Sequence, residues 1–126
     1  SELAHSYASE LEVAIDTMKK MHARGIRVLP GGDYGFAWIP HGTNAKDLEY
    51  LTTMVGMSPM EALVAATKLG GEIMGQSETL GLLKKGYVAD ILIINGDPLE
   101  DICLLQDKEK ILAIIKDGKF HKNLMS

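Results

Sequence analysis

The sequence predicts an α/β protein, and three observations point there. An amphipathic helical pattern over Ser6–Arg24 runs directly into a short apolar segment, Ile26 to Leu29. That segment opens onto Gly31-Gly32-Asp33-Tyr34-Gly35, the way a parallel sheet presents a polar group at the carboxyl end of a strand. After about residue 79 helical periodicity gives way to short apolar runs separated by turn signals.

In the first helix Tyr7, Leu11, Ala14, Ile15, Met18 and Met21 fall on one stripe. Lys19, Lys20, His22 and Arg24 suit the negative end of its dipole, and Gly25 is placed to close it. Ile26–Leu29 reads as a buried strand, and residues 34–43 as a loop unusually rich in apolar groups, with Phe36, Trp38 and Pro40. Thr43 or Asn44 is expected to cap a helix carrying Leu48, Leu51 and Val55, which Gly56 ends. Ser58-Pro59-Met60-Glu61 is a capping box with proline at the first helical position; the helix it starts is expected to reach Met74 before Gly75. Gly70-Gly71 within it weakens the helix or lets another backbone come close. Leu80–Leu83, Val88–Ile94 and Ile111–Lys116 read as strands, and Asp117-Gly118 as a type I′ hairpin turn into Lys119–His121.

At 126 residues the chain has the length of one domain. Its net charge of −4, with no basic block, argues against nucleic acid as a partner. No run approaches the ~20 apolar residues of a membrane span. Cys103 is the single cysteine, so a disulfide framework is absent and a reducing, cytoplasmic setting is expected. The chain begins at Ser1 without an initiator methionine, as a processed chain or part of a longer one would.

Candidate chemistry starts at Asp33. Its bland alternative is a carboxylate capping a turn after two glycines. His5, His22, His41 and His121 show no paired spacing, so a metal site complete within this chain is not expected. His22 reads as a solvated residue at a helix end, and only His41 shares a face with Asp33. Cys103 reads as a small buried hydrophobe, Ser58 as a cap and Asp90 as a turn-fixing residue; the loop aromatics Phe36 and Trp38 read as cover for the core, the commoner case, or as the lining of a pocket. Gly31-Gly32 lacks the spacing of a phosphate loop.

Further motifs, taken together, point to a known family. Gly25-Ile-Arg-Val-Leu-Pro-Gly-Gly-Asp-Tyr-Gly35 resembles the last barrel strand of metal-dependent amidohydrolases, in the imidazolonepropionase and Xaa-Pro dipeptidase-like branch. The resemblance continues through His41-Gly-Thr-Asn-Ala-Lys-Asp-Leu-Glu49 and Met57-Ser-Pro-Met-Glu-Ala-Leu-Val-Ala-Ala-Thr67. It extends through Gly81-Leu-Leu-Lys-Lys-Gly-Tyr-Val-Ala-Asp-Ile-Leu92, Gly96-Asp-Pro-Leu-Glu-Asp-Ile102 and Ile115-Lys-Asp-Gly-Lys119.

This resemblance implies a piece of a larger architecture. Residues 1–78 would be the C-terminal barrel segment: a helix, the last strand, a catalytic-type loop and two helices. Residues 79–126 would be strands and a hairpin of the composite β-sandwich, leaving the TIM barrel incomplete. Asp33 would be the general base and a metal-site residue, with His41, Tyr34 and Asn44 shaping the substrate pocket. A divalent metal, zinc above all, would serve the complete enzyme, and this chain alone would bind none. The family's commoner spelling before the aspartate is Gly-Thr-Asp; Gly32 here removes a hydroxyl. His5 stands too near the final helix to be an earlier-strand histidine.

The implied activity is hydrolysis of a C–N bond in an amide, dipeptide or cyclic amide by metal-activated water. The implied substrate is a small molecule or peptide. The isolated chain is expected to be inactive, since one carboxylate cannot hold a catalytic zinc. Two alternatives stand beside this: a non-catalytic domain that self-associates as a homo-oligomer or swapped dimer, and one half of a split enzyme whose N-terminal half is a separate chain.

Overall fold

The computed structural model describes residues 2–125, with side chains from residue 6 onward; Ser1 and the side chain of His5 lie outside the described residues. Helix α1 spans Glu2–Ala23, and Gly25 at φ +75° turns the chain out of it, its N–H bonding His22 O. Glycine suits that left-handed position because a Cβ would meet the carbonyl. Only part of the α1 stripe finds partners. Ile15 and Met18 are half-buried, whereas Tyr7 and Leu11 remain 63% and 55% exposed.

Ile26–Leu29 does not form the expected strand. It is extended chain that pairs with no strand among the described residues, with Ile26 exposed and Val28 and Leu29 half-buried. A β-strand is defined by a neighbour's N–H and C=O groups, and an apolar run without such a neighbour stays irregular.

Helix α2 (Lys46–Tyr50) continues as a π-helical turn over Leu51–Val55. Neither Thr43 nor Asn44 caps it as expected. Ala45 takes the cap position without a side-chain bond. Thr43 Oγ1 instead donates to Pro40 O, and Asn44 Oδ1 accepts from the Gly42 N–H. The loop consumes both side chains in its own turns. Gly56 at φ +88° ends the helix as expected.

The capping box forms: Ser58 Oγ accepts from the Glu61 N–H, and Glu61 Oε2 accepts from the Ser58 N–H. The helix it begins, α3 (Pro59–Ala66), breaks at Thr67 instead of running unbroken to Met74, and α4 (Lys68–Ile73) follows. Thr67 adopts φ −116°, ψ −80° while its Oγ1 bonds back to Leu63 O. The break lets the Leu80–Gly81 backbone pass the helix pair. A Cβ on Gly71 would stand 2.7 Å from Leu80 O, and one on Gly81 would stand 2.4 Å from Thr67 O. Leu80–Leu83, expected as a strand, is therefore a bend held against helix backbone.

The sheet is antiparallel, in order β1 (Ile91–Ile94), β2 (Ile111–Lys116), β3 (Lys119–Asn123). Val88 to Asp90, expected within the first strand, precede it as coil. Asp117 at φ 51° and Gly118 at φ 73° make the expected I′ turn. Ala113, fully buried, sits opposite Ile93 on one side and Asn123 on the other.

The helical half is held by Leu48, Leu51, Val55, Met57, Ala62 and Ala65. Ile102 joins this core from a 3-10 turn, Ile102–Gln106, which lies beyond β1 in sequence and returns to the helices. Burying each large apolar side chain contributes roughly 1.5–3 kcal/mol. That turn aims Ile102 inward and Cys103 outward, so Cys103 is exposed and not the buried hydrophobe expected. His22 is also less solvated than expected: its Nε2 stands 3.5 Å from Glu61 Oε1, tying α1 to the start of α3.

Candidate active site

Pro30-Gly31-Gly32-Asp33 leads from the extended segment into the loop that ends at α2. The loop is closed by its own backbone: Gly35 N–H donates to Ile39 O and Ile39 N–H to Phe36 O. Phe36 and Trp38 stack at a 5.3 Å centroid distance and are 51% and 77% exposed. They do not cover the core; the short bridge between Phe36 and Ile39 turns them outward.

Asp33 is exposed at the centre of a tight turn in which the Tyr34 N–H reaches Gly32 O at 2.9 Å. Tyr34 lies over this turn. A Cβ on Gly32 would sit 3.2 Å from Tyr34 Cε2, so the ring occupies the space a larger residue would take. Its hydroxyl donates to Asp47 Oδ1 at 2.6 Å, joining the turn to the first turn of α2. The bond to the Asp47 carboxylate holds the Tyr34 hydroxyl protonated, with its pKa pushed up to about 12; partial burial adds to the effect.

Tyr34 and Asn44 come together. Both line a cavity of about 340 Å³ with Gly32, Ala45 and Asp47. A second cavity of about 290 Å³ shares Gly32, Tyr34 and Asp47 with it and is lined also by Trp38, Lys46 and Tyr50. Asp33 and His41 line neither cavity. His41 packs instead on Gly35: a Cβ there would stand 2.8 Å from His41 Nε2. The expected quartet thus divides into a pair in the cavity wall and a pair on the exposed loop.

No local signal in the sequence marks Asp47 as a site residue. It sits in the wall of both cavities and bonds Tyr34. A carboxylate in a helix's first turn usually serves the dipole, and only the tertiary contact reveals this second partner.

Among the described residues no three or more of His, Cys, Asp and Glu converge as a metal site. A catalytic zinc normally takes three protein ligands, so the described residues do not by themselves fit the group. No helix among them is long and apolar enough to cross a membrane.

A family model described as "Amidohydrolase family" matches residues 2–120. Ochratoxinase of Aspergillus niger is 30% identical over 115 residues, which cover 90% of this chain and 24% of the relative. Imidazolonepropionase of Rubrobacter xylanophilus is 34% identical over 71 residues, covering 56% of this chain and 17% of that protein. Among solved structures, a Xaa-Pro dipeptidase with methionine bound in its active site superposes with a TM-score of 0.75 at 31% identity. That match covers 86% of this chain and 25% of the dipeptidase. The A. niger ochratoxinase structure gives a TM-score of 0.78 at 29% identity, covering 86% of this chain and 24% of that one. The chain therefore spans about a quarter or less of the length of these relatives. The chain belongs to the amidohydrolase family.

Proposed function

We propose that this chain is the C-terminal part of an enzyme that hydrolyses C–N bonds in an amide, dipeptide or cyclic amide. The observation that carries the reading is Asp33: an exposed carboxylate on a glycine turn beside a cavity of about 340 Å³, in a chain of this family. Relatives named ochratoxinase, imidazolonepropionase and Xaa-Pro dipeptidase make small molecules or peptides the substrate class.

In this reading Asp33 is the general base. Its carboxylate takes a proton from the attacking water as the water oxygen bonds to the carbonyl carbon, and gives it to the nitrogen as the C–N bond breaks. Tyr34 and Asn44 shape the substrate cavity, and His41, packed on Gly35, supports the loop that carries Asp33. Asp33 would be one donor of a metal site whose other ligands lie outside these 126 residues. Residues 1–78 belong in this reading to a barrel segment and 79–126 to a β-sandwich.

The test is Asp33→Asn in the active protein, assayed on a Xaa-Pro dipeptide, an imidazolone and ochratoxin. Turnover is expected to vanish while circular dichroism stays unchanged. Near-normal turnover in a folded variant overturns the assigned role, and the 126-residue chain alone is expected to be inactive.

One observation favours a second reading, self-association. An apolar groove of about 380 Å³ runs between α1 and Leu51–Val55, lined by Leu11, Ile15, Met18, Leu29 and Met54. Another copy could cover it, as could the rest of a longer or split enzyme. Sedimentation at micromolar concentration separates these, because a clean monomer excludes the second reading.

A further inference from the structure

We propose that Asp47 is a positioning residue for Asp33, acting through the ring of Tyr34. The inference rests on the reading of Asp33 as the general base. Four observations carry it. The Tyr34 hydroxyl donates to Asp47 Oδ1 at 2.6 Å, a short charge-assisted bond. Asp47 is itself half-buried in the first turn of α2, so its carboxylate is fixed by a helix and not by a loop. The Tyr34 ring also lies beside Gly32, where a Cβ would stand 3.2 Å from Cε2, the ring carbon next to the one that carries the hydroxyl. Finally, the Tyr34 N–H closes the turn onto Gly32 O at 2.9 Å, with Asp33 between the two.

Asp33 is therefore held from both sides of its own peptide units by one residue that is anchored elsewhere. Two glycines precede it, and such a segment has wide backbone freedom unless something restrains it. The ring restrains Gly32, the turn restrains Asp33, and Asp47 restrains the ring. A catalytic carboxylate needs placement to within about 0.5 Å, and a misplacement of about 1 Å can cost on the order of 100-fold in rate. Gly32 has a further reason to be glycine here, since a Cβ would press on the ring that does the holding.

Backbone ¹⁵N relaxation on the 126-residue protein tests the device, with Asp47→Ala, Asp47→Asn and Tyr34→Phe compared with the parent. In the parent, the Gly32 and Asp33 amides are expected near the rigid-backbone order parameter of about 0.85. Asp47→Ala and Tyr34→Phe should both lower them toward about 0.6, leaving the β2–β3 hairpin unchanged. Asp47→Asn keeps an acceptor oxygen and should restore the parent values. Unchanged order parameters in Tyr34→Phe, or Asn behaving like Ala, overturn the proposal. Tyr34→Phe keeps the ring, so the question stays answerable if Asp47→Ala fails to fold. In the active protein Asp47→Ala should lower kcat 10–100-fold with KM little changed, and an unchanged kcat overturns the positioning role. Full activity of Asp33→Asn would sink the general-base reading alone, leaving the relaxation result to stand or fall separately.

Discussion

Asp90 reaches across to Asp117: its Oδ1 accepts the Asp117 backbone N–H at 2.8 Å, while its Oδ2 pairs with the Lys116 ammonium. The residue just before β1 thereby grips the turn between β2 and β3, which lies beside it at the same end of the sheet. The reading of Asp90 as a turn-fixing residue holds, but the turn it fixes is 27 residues away in sequence.

A pH dependence follows from that grip. The Lys116 ammonium, and then the Asp117 N–H, hold the Asp90 carboxyl below its ordinary value. A depressed carboxyl contributes stability that is fully present above the unfolded value of about 3.9 and lost as pH falls through the folded value. Thermal unfolding followed from pH 6 to pH 2 should show the melting temperature falling below about pH 4. Asp90→Asn should melt lower at pH 6 and show a smaller fall in that window.

Gly81 and Gly25 separate two kinds of glycine requirement. Both have positive φ, but a Cβ on Gly81 would lie 2.4 Å from Thr67 O, whereas Gly25 has open space. Gly25→Ala should cost about 1 kcal/mol of backbone strain. Gly81→Ala adds overpacking against backbone and should cost about 2–4 kcal/mol. Urea midpoints of the two variants measure the difference; equal losses would remove the close-approach argument.

The capping box gives a third test. Ser58→Ala removes the acceptor for the Glu61 N–H and should destabilise by about 1 kcal/mol. Ser58→Asp keeps an acceptor and should lose much less, as read by chemical denaturation. Leu51→Ala, in the core at 6% exposure, should cost about 2–5 kcal/mol in the same assay.

Metal removal should leave the stability of this chain untouched. With no group of three or more metal-binding side chains among the described residues, ethylenediaminetetraacetate should not move the melting temperature, and added zinc should not raise it. A rise of several degrees with zinc would mean that a site forms here after all.

Much of the chain was legible from local chemistry. The Ser58–Glu61 capping box, the Gly25 and Gly56 helix ends and the Asp117-Gly118 turn depend on residues within a few positions of one another, and all formed. The Ile26–Leu29 strand, the unbroken helix to Met74 and the buried Cys103 did not. Each depends on a neighbour remote in sequence. An apolar run becomes a strand only beside another strand, Thr67 breaks its helix where Gly81 passes, and Cys103 faces outward because Ile102 takes the inward position.

The candidate site divides in the same way. The sequence alone singled out Gly31-Gly32-Asp33-Tyr34 and the family, because a carboxylate after glycines at the end of an apolar run is a local pattern. Only the tertiary structure decided that Tyr34 bonds Asp47, that Asn44 shares a cavity with Tyr34, and that His41 rests on Gly35 away from it. Turns and caps close over short stretches of chain, where sequence sets the geometry. A hydrogen bond between residues thirteen positions apart exists only once the loop and α2 have packed against each other.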